Sequence, residues 1–181
     1  MDYIKKEVLF EHSTDNIYSF VNTVIDIIRE NVHPEKYEPN SSAVKQVIIE
    51  LCTNAIKHSN CRQSIFMIET DHLFIKISKA DSGLPFSLIC SNMVLSFPLT
   101  LPYTAEPVII RKDMLSTLLA APVSMNELVF KYIEHDEPES YDPQDLLEHY
   151  GLLIIAKHTF EFTYQYDENS CTNIFKAVIR I

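Results

Sequence analysis

Residues 43–60 read AVKQVIIELCTNAIKHSN. At helical spacing Val44, Val47, Ile48, Leu51 and Ala55 form one apolar stripe, and Glu50, Asn54 and His58 recur every fourth residue along its edge. The segment predicts a helix with a core face and a polar row. Asn54 is a poor mid-helix residue, because its amide competes for nearby backbone groups, and Glu50 sits beside Leu51 at the border of the buried stripe. Such a row can hold a metal and a water, although any amphipathic helix carries a polar flank for solvation alone.

Working outward, residues 7–11 (EVLFE) predict a short first strand. Ser13 or Thr14 then caps a helix in which Ile17, Phe20, Val21, Val24, Ile25 and Ile28 repeat at helical spacing, ending near Asn31. Two prolines break the chain before Ser41 and Ser42, which supply a cap for the central helix. Downstream, residues 62–70 and 72–79 are β-rich and separated only by Asp71, a turn residue, so they predict a hairpin. ADSGLPF follows at residues 80–86. A carboxylate two residues before a glycine lets a flat ligand lie against the backbone beside the acid, and it is equally the sequence of an ordinary strand-ending turn.

Residues 87–141 are less regular. Within them residues 112–120 and 125–133 predict short helices, the second capped by Ser124, and EHDEPESYDP predicts an acidic loop. A connection this long reads as a lid or a partner-binding insertion. Asp142, Pro143 and Gln144 then predict a cap and first turn for a helix carrying Leu146, Leu147, Leu152, Leu153, Ile155 and Ala156. Gly151 interrupts that pattern at a cost of about 1 kcal/mol, which implies a helix start or a close backbone approach there. Residues 160–166 and 173–181 alternate as two final strands around the turn DENSC. The order predicts one domain, residues 1–181, an α/β (α+β) two-layer sandwich with about three helices on one face of a mixed β-sheet.

Composition sets the outer bounds. The chain has 181 residues, 46% of them hydrophobic, which suffices for one core burying about 70% of the unfolded surface. A net charge of -10 with no basic stripe disfavours nucleic acid as a direct partner. No apolar run approaches the roughly 18 residues of a membrane span, and the first dozen residues lack a signal-peptide core, so a cytoplasmic protein is expected. Cys52, Cys61, Cys90 and Cys171 form no C-x-x-C pair and read as reduced thiols, Cys52 as core packing.

Three segments in this order resemble the boxes of the histidine-kinase-like, or GHKL, ATPases. ELCTNAIKH at residues 50–58 is similar to the N box, DSGLPF at 81–86 to the first glycine box, and HYGLLIIAK at 149–157 to the second. The E-x-x-x-N-A-I-x-H form and the single-domain size are most similar to the anti-sigma-factor serine/threonine kinases. The resemblance implies a Bergerat-type ATP-binding fold using ATP and Mg2+. Asn54 would then be the magnesium ligand, Glu50 the general base toward a serine hydroxyl or water, and Lys57 and His58 neighbours of the phosphates. Asp81 would accept from the adenine amino group, Gly83 would let the base approach, and Gly151 with the following helix amides would contact phosphates. The sequence departs from the family at Pro85, which stands for a glycine of the first box. In the second box His149 replaces the first glycine, still able to donate to a phosphate, and Tyr150 stands where related kinases often carry arginine.

Two readings follow. One is an ATP-binding regulator that phosphorylates a serine on a partner protein, the partner being a sigma factor or an anti-sigma antagonist, with the homodimerisation known across the related kinases. The alternative is a non-catalytic interaction module of the same fold that has lost the nucleotide. A sensor histidine kinase fits less well, because no helical hairpin bearing a phosphoacceptor histidine precedes the first strand.

Overall fold

The computed structural model describes residues 3–90, 93–99, 106–140 and 149–181. Strand β1 (Ile4–Glu11) leads through a 3-10 turn into α1 (Ile17–Asn31), the single turn α2 (Pro34–Tyr37) and α3 (Ser41–His58). Strands β2 (Gln63–Thr70), β3 (Phe74–Ser82), β4 (Ser87–Cys90), β5 (Met93–Ser96), β6 (Val108–Lys112), β7 (Ser116–Ser124) and β8 (Glu127–Glu134) follow. The chain closes with α4 (Tyr150–His158), β9 (Glu161–Asp167) and β10 (Thr172–Arg180).

The capping chemistry explains several boundaries. Ser13 accepts the Asp15 N–H at the entry to α1. Ser41 does not cap α3 as expected: it is the first helical residue, and its hydroxyl turns back to donate to the Glu38 carbonyl. Asp71 accepts the N–H groups of both Leu73 and Phe74 at 2.8 Å, which makes the tight turn of the β2–β3 hairpin.

Eight strands form one sheet in the order β1-β2-β3-β10-β9-β8-β7-β6, with β4 and β5 as a separate pair. Every pairing among the described residues is antiparallel, so the mixed sheet expected from sequence is corrected. Glu11 pairs with Gln63, so the two long helices between β1 and β2 return the chain to the end at which β1 finished. The coarse class holds: an α+β sandwich in which α1, α3 and α4 pack against one another and against the sheet.

The two helices expected within residues 112–120 and 125–133 are strands instead. Leu118, Ala120 and Pro122 turn inward on β7 while Leu119 and Ala121 are only partly covered, which is the two-residue period of a strand. Ser124 does act as a cap, but of the β7–β8 turn, where its hydroxyl accepts the Asn126 N–H. The described part of residues 87–141 thus supplies β4 to β8, and three of these strands widen the main sheet beyond β9. The expected helix start at Asp142 to Gln144, with Leu146 and Leu147, lies outside the described residues.

Helix α3 is the central beam. Val44, Val47, Ile48, Leu51, Cys52 and Ala55 are fully buried, as the apolar stripe predicts, and α3 touches α1, α4, β3 and β10. Each such aliphatic side chain contributes roughly 1.5–3 kcal/mol of burial. Phe10, Phe20 and Phe66 pack edge-on at one end of the layer, and Phe86, Phe97, Tyr164 and Phe175 form a second aromatic cluster at the other.

Candidate functional site

The polar row of α3 faces α4. Glu50 and Asn54 are half-buried, whereas Lys57 and His58, nearer the helix end, are exposed. Helix α4 starts at Tyr150, so the interruption at Gly151 is a helix start. It is also a close approach. A methyl group built on Gly151 would lie 2.6 Å from Glu50 Oε2 and 3.3 Å from Asn54 Oδ1. The acid and the amide of α3 therefore rest against the bare Cα in the first turn of α4, where backbone N–H groups lack intrahelical partners and the dipole is positive.

His149 precedes that turn with φ of +63°, the left-handed conformation that a glycine takes most easily. The backbone there has a glycine-type geometry on a side-chain-bearing residue. Its ring Nε2 donates to the Ile89 carbonyl at 3.1 Å, tying the start of α4 to β4. Tyr150 carries a cation over its ring, the Arg111 guanidinium of β6 at 5.1 Å. That arginine comes from a strand that sequence reading did not connect to Tyr150.

Burial pushes the Glu50 carboxyl above the ordinary glutamate range, with Lys57 pulling weakly in the opposite direction. Glu50 and Asn54 offer two hard oxygen donors, and no group of three or more His, Cys, Asp or Glu residues arranged to hold a metal occurs among the described residues. A donor set this small does not make a protein cage. It suits Mg2+, which keeps most of its octahedron for water and phosphate oxygens. The two oxygen donors fit the implied ion.

The DSGLPF stretch lies past the C-terminal end of α3. Gly83 has φ of +148°, which side-chain-bearing residues rarely adopt, and a Cβ built there would meet only Asn60 Cβ, at 4.0 Å. Conformation, not crowding, requires this glycine. Asn60 lies two residues past His58, the last residue of α3, so Gly83 sits beside the loop that leaves the helix.

Asp81 is not open to solvent. It is 7% exposed and paired with Lys79, itself 3% exposed, whose ammonium lies 5.0 Å from the centre of the Phe175 ring. Lys79 and Asp81 stand two apart on β3, on the same helix-facing side as Ile75 and Ile77. Electrostatically the Lys79 ammonium reaches Cys52 of α3, whose thiol burial pushes up to about 12. Beside Asp81, Asn173 of β10 accepts from the Phe86 N–H at 2.9 Å and the Tyr164 hydroxyl at 2.7 Å, and donates to the Leu84 carbonyl at 3.0 Å. These bonds clamp the LPF part of the box, Pro85 included, against the sheet. The residues at this end do not fit an adenine ring that needs a free carboxylate.

Of the residues that sequence reading grouped in one cleft, the structure brings Glu50, Asn54 and Gly151 into one contact cluster and sets Gly83 beside Asn60, past the end of α3. Sequence reading missed Lys79, Arg111 and Asn173. Lys79 had a signal, a lysine on the apolar face of a strand; the other two depend on tertiary contacts alone. No protein-family model matches the chain, and no curated protein matches it.

Proposed function

We propose that this chain is a Mg-nucleotide-responsive regulator with a Bergerat-type site, acting by contact with a protein partner such as a sigma factor or its antagonist. The observation that carries the reading is the seating of Gly151 against Glu50 and Asn54, because residues about 100 apart in sequence meet as a phosphate-and-metal site requires. Asn54 would hold the magnesium through its amide oxygen, and the N-terminal amides of α4 would face the phosphates. Lys57, exposed on the next turn of α3, adds positive charge near them, and His58 is exposed beside it.

Bound Mg-ATP would supply the transferable phosphoryl group. Glu50 would take the proton of an attacking serine hydroxyl, and its upward-shifted carboxyl brings it nearer the range where a general base works at neutral pH. In a protein of net charge -10 a triphosphate needs the metal, since Glu50 already places one negative charge at the α4 terminus. Calorimetric titration tests the reading: ATP is expected to bind in the presence of Mg2+ and to lose at least tenfold in affinity in Asn54→Ala. An absence of Mg-dependent binding refutes it.

A second reading, the non-catalytic interaction module, is favoured by the Lys79–Asp81 pair and the clamped Pro85 loop. Phosphate transfer to a co-purifying protein, abolished by Glu50→Gln, would exclude it.

A further inference from the structure

Helices α1 and α3 leave the sheet and return to it at one neck. β1 ends at Glu11 and β2 begins at Gln63, and these two residues face each other in register. The next residue, His12, donates its N–H to the Arg62 carbonyl at 2.9 Å. Its ring lies 5.8 Å from that of buried Phe10, and Nε2 is 2.7 Å from the hydroxyl of Ser64. The other side of the ring is hydrogen-bonded to the Cys61 backbone, a bond that favours the charged imidazole as one donated by a ring N–H to a carbonyl does. Nδ1–H therefore serves Cys61, and a neutral ring leaves Nε2 free to accept from Ser64.

Protonation upsets that arrangement. Nε2 becomes a donor, the Ser64 hydroxyl has to accept, and its own hydrogen is left without an acceptor, since Ser64 is 1% exposed and has no second hydrogen bond among the described residues. Two charges bear on the ring, both from β3: the Lys79 ammonium opposes a second cation, the Asp81 carboxylate favours one, and the two are already paired with each other. Glu11 and Asp15, the acidic residues nearest in sequence, are exposed, and α1 contributes the apolar ring of Phe20 against Phe10. Burial is the largest influence and holds the imidazole below the ordinary histidine range. The fold thus favours the neutral ring, so its contribution to stability is complete above the unfolded value of roughly 6.5 and is lost as pH falls through the folded one. We propose that His12 and Ser64 form an acid-released latch at the neck of the α1–α3 excursion, closed with a neutral ring and opened by protonation of Nε2. Opening frees the entry to α1 and the loop that leaves α3 together, and so loosens the helix that carries Glu50 and Asn54. The latch does not depend on what the α3–α4 junction binds.

The experiment is an NMR titration of the full chain with 15N-labelled histidine, with amide exchange read in parallel and corrected for its intrinsic pH dependence. At neutral pH the His12 ring is expected as the Nδ1–H tautomer, and it is expected to titrate below roughly 6.5. Between about pH 7.5 and about pH 5 the protection of the His12 amide is expected to fall by about tenfold, the effect of one orphaned buried donor, while the Tyr166 amide of β9, bonded to the Asn126 carbonyl, keeps its protection. His12→Gln offers Ser64 an amide oxygen and takes up no proton, so protection at that amide is expected to stay flat across the range. Should His12→Gln fail to fold, the wild-type titration and the comparison with Tyr166 still decide. An Nε2–H tautomer at neutral pH, titration at or above the ordinary histidine value, equal loss of protection at His12 and Tyr166, or a pH dependence that persists in His12→Gln overturns the latch.

Discussion

Replacing Lys79 by Met is the most informative perturbation of the folded chain. Methionine retains an unbranched stem of similar length, so the packing on Phe175 survives and the change is chiefly electrostatic. What remains is Asp81, 7% exposed, without its counter-ion. Removing one partner of a buried pair costs about 3–5 kcal/mol, a large part of the 5–15 kcal/mol that holds a domain together. Asp81→Asn leaves the ammonium an amide oxygen to face and should cost less, about 1–3 kcal/mol. Lys79→Met/Asp81→Asn removes both charges and should fall within about 1 kcal/mol of wild type, since neutral replacement of a buried pair is often harmless. The two single losses would then exceed the double loss by at least about 3 kcal/mol, well above the 0.3–0.5 kcal/mol scatter of independent sites. Urea unfolding followed by circular dichroism measures all four proteins. A loss below about 1 kcal/mol for Lys79→Met would mean that Asp81 is solvated after all, and the reasoning about the base end would collapse.

Three further outcomes are expected. Gly151→Ala gains about 1 kcal/mol of helix propensity but forces the Glu50 carboxylate aside, so thermal stability should change little while Mg-dependent nucleotide affinity falls at least tenfold. Because burial raises the Glu50 carboxyl, its ionised form costs stability at neutral pH, a cost absent below the unfolded value and complete above the folded one. Glu50→Gln should therefore raise the unfolding midpoint at pH 7 by an amount worth up to about 1 kcal/mol, given that Glu50 is only half-buried, and leave it unchanged near pH 4 in paired thermal melts. Tyr164→Phe removes the hydroxyl that donates to Asn173 and accepts from Phe86. It should cost about 1–2 kcal/mol and speed hydrogen exchange of the Phe86 amide, with little effect on amides of α1.

The parts of the fold that were legible carry one strong period each. α1 and α3 show apolar residues at helical spacing, and β2 and β3 are divided by an aspartate whose side chain makes the turn. β7 and β8 were misread because Leu118, Leu119, Ala120 and Ala121 fit either period. Ser116, Thr117 and Leu118 are buried in succession, which blurs strand alternation, and a serine before an apolar run caps a turn as readily as a helix. The antiparallel pairing follows from the end at which the chain re-enters the sheet, a three-dimensional matter that spacing does not report. At the site, Glu50, Asn54 and Gly151 were readable because regular helices carry them. The state of Asp81 was hidden in a residue two positions earlier, visible only once alternation on β3 is taken as geometry. Asn173 and Arg111 arrive from distant strands with no local mark.

With only two glycines in the chain, selective 15N-glycine labelling gives a spectrum in which Gly151 reports on the α3–α4 contact and Gly83 on the loop beyond α3. Titration with Mg-ATP, followed in that spectrum, tests the claim that the α3–α4 junction receives the phosphates while the Lys79–Asp81 end stays closed. The account predicts that the Gly151 resonance moves in a saturable, magnesium-dependent manner and that Gly83 stays in place. A spectrum in which neither resonance moves, or in which Gly83 moves and Gly151 does not, would contradict it.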